Sequence, residues 1–231
     1  MAVSEVRRLL TSLQFSDSAF PSGFYTLSHG LEGFSQAKLV GRGDLPRLLA
    51  DLLLHSVGPG DATALAAAHR AALAGDWPLV QEIDQRLHAS KLNAEMRRAS
   101  VRSGHQLADL AAEVLGGDAL ADYGARVKAR TTPGCQPVVT AVVYAAGGVE
   151  TEAAVVSDLF AFSVSFVGAG LRMRLTDHRG AQVILNGAAP VIEQVAADAL
   201  ARPIGDIGGC APVADIMSAR HERAEARLFA S

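Results

Sequence analysis

Alanine supplies 42 of the 231 residues, while phenylalanine, tyrosine and tryptophan together make up only 5%. Alanine is the best intrinsic helix former and a poor strand former. This bias constrains the fold more than any other feature of the chain. Periodicity agrees with it. Val6, Leu9, Leu10 and Leu13 follow the i, i+3, i+4, i+7 pattern behind Ser4, a capping residue. Leu45, Leu48, Leu49, Leu52 and Leu53 repeat the pattern behind Asp44, and Gly58-Pro59-Gly60 is expected to stop that helix. A third helix is expected from Asp61 to Gly75. Asp76 then caps a short one with Pro78 in its first turn, carrying Leu79, Ile83 and Leu87. Ser90 opens a longer segment to Leu115, closed by Gly116-Gly117, and further helices are expected at 118–130, 137–147, 152–175 and 181–199. No strand pair with turn chemistry between its members is present. The expected architecture is all-α, a single-domain bundle of about eight to ten helices with a C-terminal tail helix. A helical core spans 1–201, a Gly/Pro linker 202–212 and a last amphipathic stretch 213–231.

Charge and length exclude several function classes. Hydrophobic residues make up 49% and charged residues 19%, which gives ample core material and rules out disorder for most of the chain. The formal net charge of −3 leaves no global field to hold a polyanion, so no nucleic-acid partner is expected. Leu159 to Leu171 carries no charge but lies between Asp158 and Arg172, a run too short for the roughly 20 residues a bilayer span needs. It reads as a core helix rather than a membrane segment. Cys135 and Cys210 form neither a disulfide framework nor a metal knuckle, which fits a reduced, cytoplasmic compartment.

The usual signatures of chemistry are missing. No glycine is followed by lysine, so there is no G-x-x-x-x-G-K-[ST] phosphate loop. The histidines at 29, 55, 69, 88, 105, 178 and 221 include no pair at i, i+3 or i+4, which argues against a preformed zinc-type site, and no cofactor is expected. Gly33-Phe34-Ser35-Gln36-Ala37 resembles a nucleophile elbow with its last glycine replaced, yet no strand pattern precedes it. A serine on a helix surface is the better account.

Two segments remain unusual. Phe15, Phe20, Phe24 and Tyr25 gather within eleven positions beside Pro21, Gly23 and Gly30. They read either as a plug for the end of a bundle or as a glycine-permitted surface where another backbone comes close. Chain ends are normally polar and frayed, yet Leu228 and Phe229 stand almost at the terminus. The tail either folds back onto its own bundle or docks in a partner; a helix so short is marginal alone.

Phe20-Pro21-Ser22-Gly23-Phe24-Tyr25-Thr26-Leu27-Ser28-His29-Gly30-Leu31-Glu32 resembles the N-terminal motif of the urease accessory protein F (UreF) family. Glu95-x-Arg97-x-x-Ser100-x-x-x-Gly104 and Ser218-x-x-His221-Glu222-x-x-x-x-Arg227-Leu228-Phe229-x-Ser231 follow in the family's order. Departures fall at Phe24, Leu27, Glu225 and 176–179. The resemblance implies an all-α accessory protein without catalysis of its own. It implies a D/H-type accessory protein, a GTPase and apo-urease as partners in nickel insertion, with a second copy of the chain a further candidate. It also implies partner-binding roles for Phe20, Pro21, Gly23, Tyr25, Ser28, His29, Gly30 and Glu32. The same holds at the other end for Ser218, His221, Glu222, Arg227, Leu228 and Phe229. A small helical enzyme with an unidentified active site is the alternative.

Overall fold

The computed structural model describes residues 3–230, so Ser231 of the last motif lies outside the described residues. The fold is all-α, with no strand among the described residues. In chain order, α1 (Glu5–Ser16) is followed by a 3-10 turn (Phe24–Thr26), α2 (Leu31–Gln36) and α3 (Leu45–Leu52). A π-helical stretch (Leu53–Ala62) leads directly into α4 (Thr63–Leu73), then α5 (Trp77–Ser90), α6 (Ala94–Leu115) and α7 (Asp118–Lys128). The chain continues through α8 (Gln136–Ala146), α9 (Thr151–Arg172), α10 (His178–Gly187), α11 (Ala189–Ala201) and α12 (Pro212–His221). The short α2 and a 42° bend between α10 and α11 account for the helices beyond the expected eight to ten.

Capping chemistry sets several boundaries. Ser4 Oγ accepts from the Arg7 amide and Asp76 Oδ1 from the Leu79 amide, each at its expected helix start. The long helix expected from Ser90 begins instead behind Asn93, whose Oδ1 accepts from the Met96 amide at 2.8 Å. Ser90 belongs to the last turn of α5 and donates back to Leu87 O. Gly58-Pro59-Gly60 does not stop the helix. A π-helical turn carries the chain past Pro59, and Thr63 Oγ1 donates to Gly58 O at 2.9 Å, so that carbonyl keeps a partner.

The core centres on α8, α9 and α4. Every residue of α8 from Gln136 to Tyr144 is buried. α9 is 22 residues long and apolar enough to cross a membrane, longer than its uncharged run suggested because Asp158 is itself buried. Yet 61% of its most apolar stretch lies inside the bundle. α1 behaves differently. Its contacts with the body run through Phe15, Thr11, Arg8 paired with Glu150, and Ser12 Oγ at 2.5 Å from Ser157 Oγ. Val6, Leu9, Leu10 and Leu13, the stripe whose spacing predicts this helix, are 57–67% exposed.

Gly104 of the middle motif lets α6 and α8 meet. A Cβ there would stand 2.0 Å from Gly134 O and 2.9 Å from the Gln136 nitrogen, both backbone atoms with little room to yield. Gly104→Ala should therefore lower unfolding stability by at least the roughly 1–3 kcal/mol typical of overpacking, read as a reduced denaturation midpoint. Wild-type stability in that variant would contradict the close approach.

Candidate functional site

The first motif turns back on itself through left-handed backbone at Gly23 (φ 84°), His29 (φ 54°) and Gly30 (φ 83°). That turn folds His29 inward, between the rings of Phe24 and Phe162 with centroids 5.6 and 4.4 Å away. Its Nε2 lies 2.9 Å from Ser165 Oγ. Burial, then the charges of Lys91 and Arg172, push its pKa down to about 3. His29 is a neutral packing group. Ser28 is buried and its Oγ accepts from the Glu32 amide, while Phe20 packs against Phe15 with centroids 4.7 Å apart. Pro21 is exposed.

The two ends of the chain meet at Glu32. His221 is fully buried between two carboxylates, with Nε2 2.8 Å from Glu32 Oε2 and Nδ1 3.0 Å from Glu95 Oε2. Glu32 also accepts the backbone amides of Leu228 (2.8 Å) and Phe229 (3.0 Å), and Arg227 reaches Glu95 Oε1 at 3.1 Å. Ala230 N donates to Thr26 O, and Gln36 Nε2 to Ala226 O. Of the two accounts of the tail, the structure has it seated on its own bundle. The 202–212 segment is tied down as well, with the Gly208 amide donating to Pro59 O at 3.0 Å. The close backbone approach that glycines permit occurs at Gly33, where a Cβ would lie 2.4 Å from Met217 O of α12.

The outward side of this knot carries the exposed motif residues. Tyr25 is 64% exposed and Leu228 81%, whereas the neighbouring Phe229 is buried. The Arg172 guanidinium lies over both the Tyr25 ring (4.0 Å) and the Phe229 ring (4.5 Å), and it donates to Tyr25 O. Ser218 is buried against Asn93. Glu222 pairs with Arg98 of this chain at 2.6 Å. Glu95 and Arg172 complete the arrangement. Sequence reasoning gave neither a site role, although Glu95 opens the middle motif.

No group of three His, Cys, Asp or Glu among the described residues is placed to hold a metal ion. Ser35 sits on the short α2, without a preceding strand, so the elbow geometry does not form. Inside the bundle, two pockets of about 90 and 140 Å³ share Phe24, Gln136 and Asp158 as walls. Burial pushes Asp158 up to about 7 against a 2.7 Å hydrogen bond from Gln136 Nε2, which favours its ionised form.

A model of the UreF family matches residues 39–189. The chain belongs to the UreF family. It is 34% identical over 225 residues to the urease accessory protein UreF 2 of Brucella canis, covering 96% of this chain and 91% of that protein. It is 30% identical over 225 residues to the urease accessory protein UreF of Yersinia enterocolitica, covering 96% and 98%. The matched family region lies between the two terminal motifs, whereas the full-length relatives span nearly the whole chain. This chain is therefore a urease accessory protein, and the Glu32–His221–Glu95 knot is how a member of this family fastens one terminus to the other.

Two outcomes follow from the buried charges. His221→Ala leaves the buried Glu32 and Glu95 carboxylates without their shared hydrogen-bond partner, a loss of about 1–3 kcal/mol or more for each group left unsatisfied. Amides of Met217 to Phe229 should then exchange hydrogen much faster than those of α8; unchanged protection would refute the knot. Asp158 holds its proton more tightly folded, at about 7, than unfolded, near 3.8. Its contribution to stability is full below about pH 4 and is lost as pH rises through 7. Asp158→Asn should therefore gain thermal stability relative to wild type between about pH 4 and pH 8; a constant difference would contradict this.

Proposed function

We propose that the chain is a non-catalytic chaperone of urease maturation in the cytoplasm. It joins a D/H-type accessory protein and a GTPase, and the assembly promotes insertion of nickel, as cargo, into apo-urease. One observation carries the reading: the hydrogen-bonded side chains of Glu32, Glu95, His221 and Arg227 hold the tail so that Tyr25, Arg172, Arg227 and Leu228 form one outward surface. Aromatic and arginine side chains are the types that dominate interface energies. The knot's carboxylates and imidazole saturate one another, which suits a structural role better than turnover. Nucleotide chemistry belongs to the GTPase partner, since this chain has no phosphate loop.

A second copy of the chain is the partner for α1. Four large apolar side chains on one face of a helix, each more than half exposed, form the kind of contiguous patch that marks an interaction site. A two-fold contact between such stripes is self-complementary.

Tyr25→Ala and Leu228→Asp change exposed side chains and should leave the melting temperature within about a degree or two of wild type. Each should abolish or strongly weaken co-elution with the D/H-type protein and the GTPase on size exclusion, with urease activation lost in cells. Normal assembly by both variants would overturn the docking surface. Turnover of a substrate by the purified chain would favour the enzyme reading.

A further inference from the structure

We propose that the groove between α6 and the α7–α8 connection is a docking site for an acidic, extended segment of a partner protein. The groove has a volume of about 790 Å³, and its walls carry Arg97, Arg98, Arg102, Arg130, His88 and His105. No aspartate or glutamate lines it among the described residues. The formal net charge of the chain is −3, so this is a local concentration of cations on a chain that is acidic as a whole.

The carboxylates nearest the groove are already engaged. Asp84 lies beneath it and accepts from Thr132 Oγ1 and from the amides of Gly134 and Cys135, at 2.5–2.8 Å. Glu222 reaches only the rim, at Arg98. Two of the guanidinium groups remain underused. Arg102 has Thr26 Oγ1 at 3.4 Å as its side-chain partner, and Arg130 has no side-chain partner among the described residues. Arg97, by contrast, is fixed by donation to Lys91 O, and His105 Nε2 donates to Pro133 O at 3.1 Å. Part of the wall is therefore rigid and part is free to meet a ligand.

Guanidinium groups bind carboxylates through paired, charge-assisted hydrogen bonds. Val101 and Pro133 add an apolar floor between them, which suits a peptide carrying small apolar residues among its acids. A single-stranded nucleic acid fits less well, because the walls hold no Phe, Tyr or Trp ring on which a base could stack. The basic stretch also ends at Asp109 and Glu113, one and two turns further along α6.

The biological source of the segment rests on the assembly reading above; the experiment reads the groove itself. Full-length protein is titrated calorimetrically with N-acetylated hexaglutamate, with hexaglutamine of the same length, and with decauridylate RNA. The expected result is saturable binding of hexaglutamate alone. Arg102→Glu with Arg130→Glu should weaken it by about tenfold or more at unchanged melting temperature, while Arg202→Glu, an exposed arginine outside the groove, should leave it unchanged. Absence of hexaglutamate binding, equal weakening by Arg202→Glu, or tighter binding of the RNA would each overturn the groove and leave the assembly reading standing.

Discussion

His221 is fully buried with a carboxylate against each ring nitrogen, and the placement of the whole C-terminal segment depends on that arrangement. Taking charges out of water is costly unless their remaining valences are met. Here they are met from three directions: Arg227 at Glu95, the Leu228 and Phe229 amides at Glu32, and Gln36 at Glu32. Helix α2 has six residues, too few to persist in water alone. It persists because Glu32 anchors one side of it and Gly33 admits the α12 backbone on another. Breaking the knot would therefore loosen α2 and the tail together, while the α4–α8–α9 core would keep its own packing.

Much of the helical layout was legible because propensity, caps and periodicity point the same way for Ser4, Asp76 and Gly116-Gly117. Three features were not. The Gly58-Pro59-Gly60 run carries strong stop signals, but a widened helical turn and the Thr63 hydroxyl meet the backbone cost locally. The α10–α11 break at Ala188 falls inside the single helix expected over 181–199, although Gly187 and Pro190 flank it. The α1 stripe has helical period, and period fixes that a helix is amphipathic without fixing what covers its apolar face.

The candidate site was half legible. Glu32 and His221 both stand in the terminal motifs, yet nothing in one sequence says that residues 189 positions apart touch. Glu95 opens the middle motif, but nothing in that motif says what its carboxylate faces. Leu228 and Phe229 read alike as apolar groups at a terminus, but the chain bends there and the two side chains meet different surroundings. Phe229 packs under Arg172 and Leu228 faces solvent.

Helix α6 joins these observations. One of its faces buries Glu95 within the knot, and another presents Arg97, Arg98 and Arg102 to the basic groove. Arg98 is the link, because its salt bridge to Glu222 forms only while α12 and the residues after it are seated. That bridge is exposed and weak in itself, so it contributes little to holding the tail. Its effect is electrostatic: a seated tail places a negative charge at one rim of the groove, and a displaced tail takes that charge away. Charge at the groove and order at the terminus are thus properties of one helix, and a partner that engages either surface meets a chain already arranged by the other.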